Sequence, residues 1–454
     1  MRLFGTNGIR EVVGERLTSS FAQRVASAIG SVMPSASPIV LGWDGRTSSF
    51  ALSRVVGGTL ALAGHHVIEV GLLPTPAIQY LVPRLHGRLG VIVTASHNPP
   101  EFNGVKCIAD DGLEVPRSVE ESIEQAVDAG REPGAPFDRI GTISTHPGGA
   151  EEYVDGILAC VDRSKIAERR FSVVLDTANG ASAVTSPNLL RRLGCRVRTL
   201  NGHIDGTFPG RPSEPTEANL GDLMRAVPAF GADLGIAHDG DADRAVFVDR
   251  NGRFVPGESL LTLLSQDAVE RHHGGVVVTP VTMSQALADA ITPLGGEVIY
   301  TRVGSPNVTR EMQARHAILG GEENGGIVFP QFQLARDGAM AAASLLDLLA
   351  RRSETLDALI AGVPHYAFVR EKVPCPVERR EEVLRRAAEA LSKGADRVER
   401  TDGVKLYRGK SWILVRPSGT EPLVRIFAEA NEPHRARNLA DEGVRAVREA
   451  LAAH

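Results

Sequence analysis

The segment Leu89–Lys106 reads LGVIVTASHNPPEFNGVK, and its first five residues are an apolar run that leads into a polar loop. Such a run is typical of a buried strand in a sheet that is covered on both faces. Two later segments repeat the arrangement, LGIAHD at Leu234–Asp239 and AILGGE at Ala317–Glu322. Ligands of α/β sheets bind beyond the carboxyl ends of strands, so we expect each loop to face a site.

Around the first of these loops, apolar runs alternate with helical patterns. The predicted strands are Ile39–Leu41, His66–Val70 and Leu89–Val93, and the predicted helices are Ser48–Ala63 and Pro76–Leu85. This alternation predicts βαβ units and an α/β fold. The Gly- and Pro-rich segment Ala129–Gly149 predicts a domain boundary.

The alternation continues through two further blocks. Their predicted strands are Ser172–Leu175, Cys195–Leu200, Asp233–Ala237, Ala245–Asp249, Gly275–Val281, Glu297–Val303 and Ala317–Gly320, and the helices of the third block are Leu260–Glu270, Ser284–Leu294 and Asp337–Arg351. The last block differs, because strands Tyr366–Val373, Trp412–Val415 and Leu423–Ala428 accompany a helix at Glu381–Ser392 and a long C-terminal helix. That pattern predicts a smaller α+β domain.

The composition limits the functional classes. The chain has 454 residues, of which 43% are hydrophobic, and a net charge of −5 at pH 7. The hydrophobic content excludes a fibrous or disordered protein. The charge balance argues against nucleic acid or an anionic membrane as a partner. With no apolar run long enough for a membrane span and no apolar leader at Met1–Arg10, the sequence predicts a cytoplasmic protein.

Several common site motifs are absent from the sequence. There is no GxGxxG, GxSxG or HExxH pattern, and the four cysteines show no CxxC spacing. The run GVKLYRGKS at Gly403–Ser411 has five residues between its glycines where a P-loop needs four. The loop DGDADR at Asp239–Arg244 lacks the Gly and Glu that an EF-hand requires further along.

The same DGDADR loop carries three alternating carboxylates, Asp239, Asp241 and Asp243. In an extended loop these side chains share one side. Two carboxylates about 4 Å apart repel by about 4 kcal/mol at an effective dielectric constant of about 20, and a shared cation removes that repulsion. All-oxygen ligands favour Mg²⁺ or Ca²⁺. The alternative is a solvated acidic turn.

Ser96, His97 and Lys106 are the chemically interesting residues of the first loop. Ser96 and His97 are neighbours on what we expect to be an extended chain, so their side chains should point apart and not form a Ser–His pair. A phosphorylated Ser96 could supply an oxygen ligand to a metal. The alternatives are a serine that caps a turn and an ordinary solvated lysine.

Two later loops have the composition of ligand-binding loops. RPSGTEP at Arg416–Pro422 combines a guanidinium with hydroxyl groups and a flexible glycine, which are components of a phosphate site. GGEENGG at Gly320–Gly326 offers carboxylates and an amide, which suit sugar hydroxyls. Each of these loops could also be a plain turn.

Taken in order, these motifs make the chain similar to the α-D-phosphohexomutase superfamily. The resemblance rests on FGTNGIR at Phe4–Arg10, TASHNPPEFNGVK at Thr94–Lys106, DGDADR, GEENG at Gly321–Gly325 and RPSGTEP, and it covers essentially the whole chain. It implies three similar α/β domains with mixed sheets and a smaller C-terminal α+β domain around a central cleft. The expected domains are residues 1–149, 150–254, 255–364 and 365–454.

The resemblance also implies a role for each motif. Ser96 corresponds to the phosphorylated serine, and Asp239, Asp241 and Asp243 to the residues that bind Mg²⁺ together with its phosphate. Arg10 and Lys106 correspond to residues beside the phosphoserine, with Lys106 a candidate general acid/base. Arg244 lines the cleft, and His97 completes the catalytic candidates. The substrate-binding candidates are Glu322 and Asn324 for sugar hydroxyls and Arg416, Ser418, Gly419 and Thr420 for the non-reacting phosphate.

Three positions depart from the pattern. Many bacterial members carry Ser at the position of Asn324 and His at the position of Gly326, and some hexose mutases carry His where this chain has Ser305. A proton-transfer role for these histidines therefore cannot be carried over to this chain.

On this resemblance we expect the protein to be a phosphohexomutase. It would use Mg²⁺ and a hexose 1,6-bisphosphate intermediate and act on a hexose phosphate as a monomer or homodimer. The N-terminal motif favours glucosamine phosphate, with mannose or glucose phosphate as the alternative. Two other classes stay open, a Mg²⁺-dependent sugar-phosphate phosphatase and a non-catalytic sugar-phosphate sensor.

Overall fold

The computed structural model describes residues 3–5, 7–418 and 421–453. The chain divides into two compact units. Unit 1 comprises Met1–Leu260 and Asn324–Ala361, and unit 2 comprises Leu261–Glu323 and Gly362–His454. Within the described part of the chain, every helix is too short or too polar to span a lipid bilayer.

The first sheet of unit 1 is mixed and has six strands. These are β1 (Ile9–Val12), β2 (Pro38–Trp43), β3 (His66–Leu72), β4 (Leu89–Val93), β5 (Phe102–Ala109) and β6 (Ile143–Thr145), in the spatial order β1-β5-β4-β2-β3-β6. Strand β5 is antiparallel to both of its neighbours, whereas the pairs among β4, β2, β3 and β6 are parallel. The helices of this part are α1 (Ser19–Val32), α2 (Ser49–Leu62), α3 (Thr75–Arg84), α4 (Arg117–Asp128) and α5 (Gly149–Leu158).

The core of this first sheet explains why β4 reads as a continuous apolar run. Val91 and Val93 of β4 pack in one cluster with Ile29 of α1 and Leu60 of α2. Helix α3 packs against β2 and β4. The loop that follows β4 is therefore carried by a strand without exposed side chains.

The second sheet of unit 1 is also mixed. Its part of the chain contains α6 (Arg163–Arg169), β7 (Ser172–Asp176), α7 (Ser186–Arg192), β8 (Arg196–Leu200), α8 (Gly221–Ala229), β9 (Leu234–His238), β10 (Ala245–Asp249) and β11 (Phe254–Val255). The strands lie in the order β11-β10-β9-β7-β8. Strand β7 is parallel to β8 and β9, and β10 is antiparallel to β9 and β11.

The third block contributes elements to each unit. In chain order they are α9 (Gly257–His272), β12 (Gly275–Pro280), α10 (Gln285–Ile291), β13 (Gly296–Thr301), α11 (Ser305–Arg315), β14 (Leu319–Gly321), β15 (Ile327–Phe329), β16 (Gln333–Arg336), α12 (Gly338–Arg352) and α13 (Leu356–Ala361). In unit 2, β12 pairs in parallel with β13 and β14. In unit 1, β15 and β16 form an antiparallel hairpin, and α12 packs against α6 and β10.

The C-terminal part of unit 2 is an antiparallel sheet with two helices. Its elements are β17 (Ala367–Pro374), α14 (Arg380–Leu391), β18 (Arg397–Glu399), β19 (Val404–Arg408), β20 (Ser411–Pro417), β21 (Leu423–Ala430) and α15 (Pro433–Ala452). The strands lie in the order β17-β21-β20-β19-β18. Helices α14 and α15 pack on each other and on β20.

The predicted fold class is confirmed, since mixed α/β sheets precede a C-terminal α+β domain. Strands β4 and β10 have the predicted bounds. The domain boundary at Ala129–Gly149 stays a prediction, and the segment contains a strand that the sequence did not predict, β6, which pairs with β3. All three residues of β6 are exposed, so no apolar run marks this strand in the sequence.

Candidate active site

Ser96 lies in the loop after β4 and is fully buried. Its backbone is left-handed, with φ +52°, a region that residues other than Gly adopt uncommonly. Its N–H donates to Thr94 Oγ1 at 2.9 Å, and its Oγ donates to Asp239 Oδ2 at 3.1 Å. The surrounding structure thus fixes a nucleophilic hydroxyl next to a carboxylate.

The left-handed turn overturns one expectation. Ser96 and His97 do not point apart, because Ser96 Oγ lies 3.3 Å from His97 Nδ1. Arg244 Nη2 donates to the same nitrogen at 3.1 Å. Burial, together with the charges of Arg244 and Arg10, lowers the pKa of His97 well below its ordinary value. His97 is therefore a neutral hydrogen-bond acceptor here.

Arg46 organises the Ser96 loop, and sequence reasoning missed it. Its guanidinium donates to the carbonyl oxygens of Ser96, Asn98, Pro99 and Phe102 at 2.6–2.9 Å. Its Nε lies 3.2 Å from Asp44 Oδ2, and both side chains are buried. One feature of the sequence could have indicated this residue, because Asp44 and Arg46 directly follow an apolar strand, β2, as Ser96 follows β4.

The Asp239–Arg244 loop between β9 and β10 is a turn and not the extended chain that we expected. Ala242 has φ +59°, and its N–H donates to the Asp239 carbonyl at 3.2 Å. The three carboxylates nevertheless converge, with one oxygen of each within 4.8 Å of the others. Gly240 permits the close approach to the Ser96 loop, since a Cβ there would lie 2.6 Å from the Ser96 carbonyl oxygen.

The carboxylate cluster fits a divalent cation. Oδ1 of Asp241 and Oδ1 of Asp243 are buried without a hydrogen-bond partner. An unsatisfied buried acceptor costs about 1–3 kcal/mol, and a bound cation would remove that cost. Burial and the charges of Asp243 and Asp241 raise the pKa of Asp239 well above its ordinary value. A donor set made only of oxygen atoms suits Mg²⁺ or Ca²⁺.

Lys106 and Arg10 lie in the same region. Lys106 Nζ donates to Asp241 Oδ2 at 2.7 Å and lies 3.9 Å from Asp243 Oδ2. Burial alone would raise the pKa of Asp241, but the ammonium of Lys106 and the Thr75 hydroxyl lower it below its ordinary value. Arg10 Nη1 donates to Asn98 Oδ1 at 2.8 Å. The structure therefore brings Lys106 and Arg10 to the two loops that the sequence singled out.

Arg244 is joined by a carboxylate that sequence reasoning did not find, Glu214. Arg244 Nη1 donates to Glu214 Oε1 at 2.7 Å, and His97 Nε2 lies 3.4 Å from Glu214 Oε2. Burial opposes the charge of Arg244, but Glu214 and Asp239 raise its pKa above the ordinary value. Arg244 is therefore a permanent cation of this site.

Arg336 is a second cation that the sequence did not reveal. It lies on β16, is almost fully buried, and its Nη2 donates to Asp243 Oδ2 at 2.5 Å. Four cations (Arg10, Lys106, Arg244 and Arg336) thus offset four carboxylates (Asp239, Asp241, Asp243 and Glu214). A divalent cation and a phosphoryl dianion would add +2 and −2 to this balance. Such a preorganised, near-neutral cluster suits phosphoryl transfer.

The sugar-loop candidates are divided between the units. Glu322 follows β14 in unit 2, and its Oε1 accepts from the Gly304 N–H at 3.3 Å. Asn324 belongs to unit 1, where its Oδ1 accepts from the Gly326 N–H at 3.1 Å and closes a turn. Both side chains are ordered by backbone amides of glycine.

The predicted phosphate loop begins at the end of β20 in unit 2. Arg416 Nε and Nη2 each lie 3.0 Å from Asp402 Oδ2, and the same oxygen accepts from the Val303 N–H at 3.1 Å. Sequence reasoning missed Asp402. The carbonyl oxygens of Ser418 and Glu421 accept from Arg380, which ties the loop to α14. Gly419 and Thr420 lie outside the described residues.

Domain models of one family match the chain along its length. The description "Phosphoglucomutase/phosphomannomutase, alpha/beta/alpha domain" applies to residues 1–133 for domain I, 151–252 for domain II and 256–366 for domain III. The C-terminal domain of the same family matches residues 372–446.

Individual relatives agree with this assignment. The chain is 38% identical to a phosphoglucomutase/phosphomannomutase of Thermococcus kodakarensis, over 99% of both chains. It is 40% identical to a probable phosphoglucosamine mutase of Methanopyrus kandleri, over 98% of both chains. Among solved structures, a phosphoglucomutase/phosphomannomutase family protein of Burkholderia thailandensis superposes with a TM-score of 0.88 at 27% identity, covering 100% of this chain and 98% of that chain.

Proposed function

The chain belongs to the phosphoglucomutase/phosphomannomutase family, and on that premise we propose that it moves a phosphoryl group between the 6- and 1-positions of a hexose phosphate. Phosphorylated Ser96 gives its phosphoryl group to the free hydroxyl of the substrate. The resulting hexose 1,6-bisphosphate reorients, and its other phosphoryl group returns to Ser96. The observation that carries this proposal is the buried Ser96 Oγ, 3.1 Å from Asp239 in the charge-balanced cluster.

In the first transfer the bond between phosphorus and Ser96 Oγ breaks while a bond to the free sugar oxygen forms. In the second transfer the bond between the other phosphorus and its sugar oxygen breaks while a bond to Ser96 Oγ forms again. Mg²⁺, held by Asp239, Asp241 and Asp243, would supply positive charge to the phosphoryl oxygens. Arg10 and Arg244 add fixed positive charge, and Lys106 is our candidate general acid/base for the hydroxyl proton. The burial of Ser96 limits access of water to its phosphate, which favours transfer to a sugar over hydrolysis.

We assign recognition of the substrate to the remaining candidates. Arg416 and Ser418, with Gly419 and Thr420, hold the non-reacting phosphate, and Glu322 and Asn324 contact sugar hydroxyls. The fixed guanidinium of Arg416 supports this assignment, because a preorganised donor loses little entropy on binding phosphate.

Glucosamine phosphate is the proposed substrate. The motif at Phe4–Arg10 and the naming of the Methanopyrus kandleri relative favour it, whereas the Thermococcus kodakarensis relative favours glucose or mannose phosphate. The test is kcat/KM for the 1-phosphates of glucosamine, mannose and glucose, each with a trace of the matching 1,6-bisphosphate. We expect the highest value for glucosamine 1-phosphate, and a higher value for either neutral sugar contradicts the assignment.

The phosphoserine role has its own test. In Ser96→Ala, isomer formation should fall to background, while Ser122→Ala, an exposed serine of α4, should keep the wild-type rate. Free inorganic phosphate is measured in the same reactions. If Ser96→Ala isomerises the substrate near the wild-type rate, the proposal is contradicted. If the wild type releases inorganic phosphate without forming isomer, the protein is a sugar-phosphate phosphatase instead.

A further inference from the structure

Arg336 is tied to the cation-binding loop although 93 residues separate it from Asp243. Its Nη2 donates to one oxygen of that carboxylate, Oδ2, at 2.5 Å. The other oxygen, Oδ1, is buried without a hydrogen-bond partner. Arg336 therefore binds one oxygen of the Asp243 carboxylate, while Oδ1, which lies 3.7 Å from Arg244 Nε, keeps its lone pairs for a cation.

Asp241 shows the same division of its two oxygens. Its Oδ2 accepts from Lys106 Nζ and from Thr75 Oγ1, both at 2.7 Å, and its Oδ1 is buried without a hydrogen-bond partner. Groups that bind the outer oxygen of a metal ligand fix its orientation and commonly change metal affinity 10- to 100-fold when removed. Arg336 binds Oδ2 of Asp243 in the same way that Lys106 and Thr75 bind Oδ2 of Asp241.

Gly326 makes room for the Arg336 side chain. A Cβ built on Gly326 would lie 2.5 Å from Arg336 Cδ, closer than Cβ atoms pack, and 3.2 Å from its Cγ, which is a tight contact. Gly326 directly precedes β15, and Arg336 is the last residue of β16, which pairs with β15. An added Cβ would require the aliphatic part of Arg336 to move, and we expect that shift to draw its guanidinium off Asp243.

From these contacts we infer that Arg336 is a positioning residue for the metal site, which orients Asp243 as a ligand through one oxygen, and that Gly326 is required to seat it. The inference rests on the proposed function, in which Asp239, Asp241 and Asp243 bind Mg²⁺. It also explains why this chain has Gly, and not a larger residue, at position 326.

The test is direct metal binding, measured by electron paramagnetic resonance of Mn²⁺ with purified protein in the absence of sugar phosphate. Arg336→Gln should bind Mn²⁺ about tenfold more weakly than the wild type. Arg336→Lys, which keeps the charge without the planar fork, should recover part of that loss. Arg225→Gln, an exposed arginine paired with Asp222, is the matched control and should bind as the wild type does.

Gly326→Ala provides a second variant that leaves every charge in place. It should also weaken Mn²⁺ binding, because the added Cβ displaces Arg336, and Gly58→Ala, which adds a Cβ into open space, should not. The double variant Gly326→Ala/Arg336→Gln should bind no more weakly than Arg336→Gln alone, since both changes remove the same contact. Additive losses overturn the proposed role of Gly326.

Two results separate this inference from the proposed function. Wild-type protein that binds no Mn²⁺ while it isomerises sugar phosphates overturns the metal site and the inference with it. If the wild type binds Mn²⁺ and Arg336→Gln binds it equally tightly, only the role of Arg336 is overturned.

Discussion

Lys106 has an almost fully buried side chain that contacts Asp241 and lies near Asp243. Lys106→Met keeps the length of the side chain and removes its charge. We expect it to lower the free energy of unfolding by about 3–5 kcal/mol, because loss of one partner leaves buried carboxylates uncompensated. Urea denaturation measures this change, with the exposed Lys165→Met as the control. Mg²⁺ should add more to the free energy of unfolding of Lys106→Met than to that of the wild type. If Lys106→Met lowers the free energy of unfolding by less than about 1 kcal/mol, Lys106 does not balance the buried carboxylates.

Asp402 provides a second test at the scale of one residue. Asp402→Asn keeps an oxygen for the Val303 N–H but removes the charge that holds Arg416. A hydrogen bond to a charged group contributes about 1.5 kcal/mol, so KM for the hexose phosphate should rise about tenfold with little change in kcat. The control is Asp396→Asn, whose carboxylate accepts from the exposed Gly409 N–H at 2.6 Å. An unchanged KM for Asp402→Asn would show that Arg416 needs no anchor.

Individual side chains also show where sequence reasoning ends. Residue type made Ser96, Asp239 and Lys106 candidates, and the order of the motifs along the chain singled them out. The left-handed backbone of Ser96 was not predictable, since four carbonyl contacts from Arg46, fifty residues earlier, impose the loop conformation. Arg336 was missed for the same reason, because its contact with Asp243 exists only in the folded chain.

At the scale of elements, helix α12 is capped at its N-terminus by a titratable residue, Asp337. Asp337 Oδ1 accepts from the Met340 N–H at 2.8 Å and from the Tyr153 hydroxyl at 2.6 Å, which ties α12 to α5. Burial raises the pKa of Asp337 to about 6 from its ordinary 3.8, in spite of the hydrogen bonds from Tyr153 and Met340. The folded protein therefore binds a proton that the unfolded chain releases, and this stabilisation is lost as the pH rises from about 4 through 6.

This loss of stability with rising pH can be measured against a variant that does not titrate. Between pH 4 and pH 7 the wild type should lose about 2 kcal/mol of unfolding free energy relative to Asp337→Asn, whose side chain does not titrate. Urea denaturation of both proteins at several pH values measures the difference. A difference that stays constant, or that grows in favour of the wild type as the pH rises, contradicts the buried position of Asp337.

Elements differ in how well the sequence predicts them. Strands β4 and β10 have only buried residues, so uninterrupted apolar runs mark their bounds. Strand β6 is short and fully exposed, and pairing with β3 alone makes it a strand. The turn at Asp239–Arg244 shows the same limit. The alternating carboxylates predicted side chains that converge, which they do, but on an extended chain, whereas the loop is a turn.

At the scale of the whole molecule, the proposed metal ligands all belong to unit 1. Mg²⁺ at about 100 times its Kd should stabilise the native state by about 2.7 kcal/mol. Hydrogen–deuterium exchange should therefore slow at Thr94–Lys106 and Asp239–Arg244 when Mg²⁺ replaces a chelator, while the β17–β21 sheet of unit 2 keeps its rate. The double variant Asp241→Asn/Asp243→Asn should show no response, and slowing concentrated in unit 2 would place the cation elsewhere.

In the proposed mechanism, Ser96 carries the phosphoryl group during turnover. The most direct measurement is tandem mass spectrometry of the protein after incubation with glucose 1,6-bisphosphate, and again after addition of excess hexose 1-phosphate. We expect a phosphoryl group on Ser96 in the first sample and, in the second, its transfer to the sugar with formation of hexose bisphosphate. An enzyme that isomerises sugar phosphates while Ser96 stays unmodified, or while another residue carries the phosphoryl group, would contradict it.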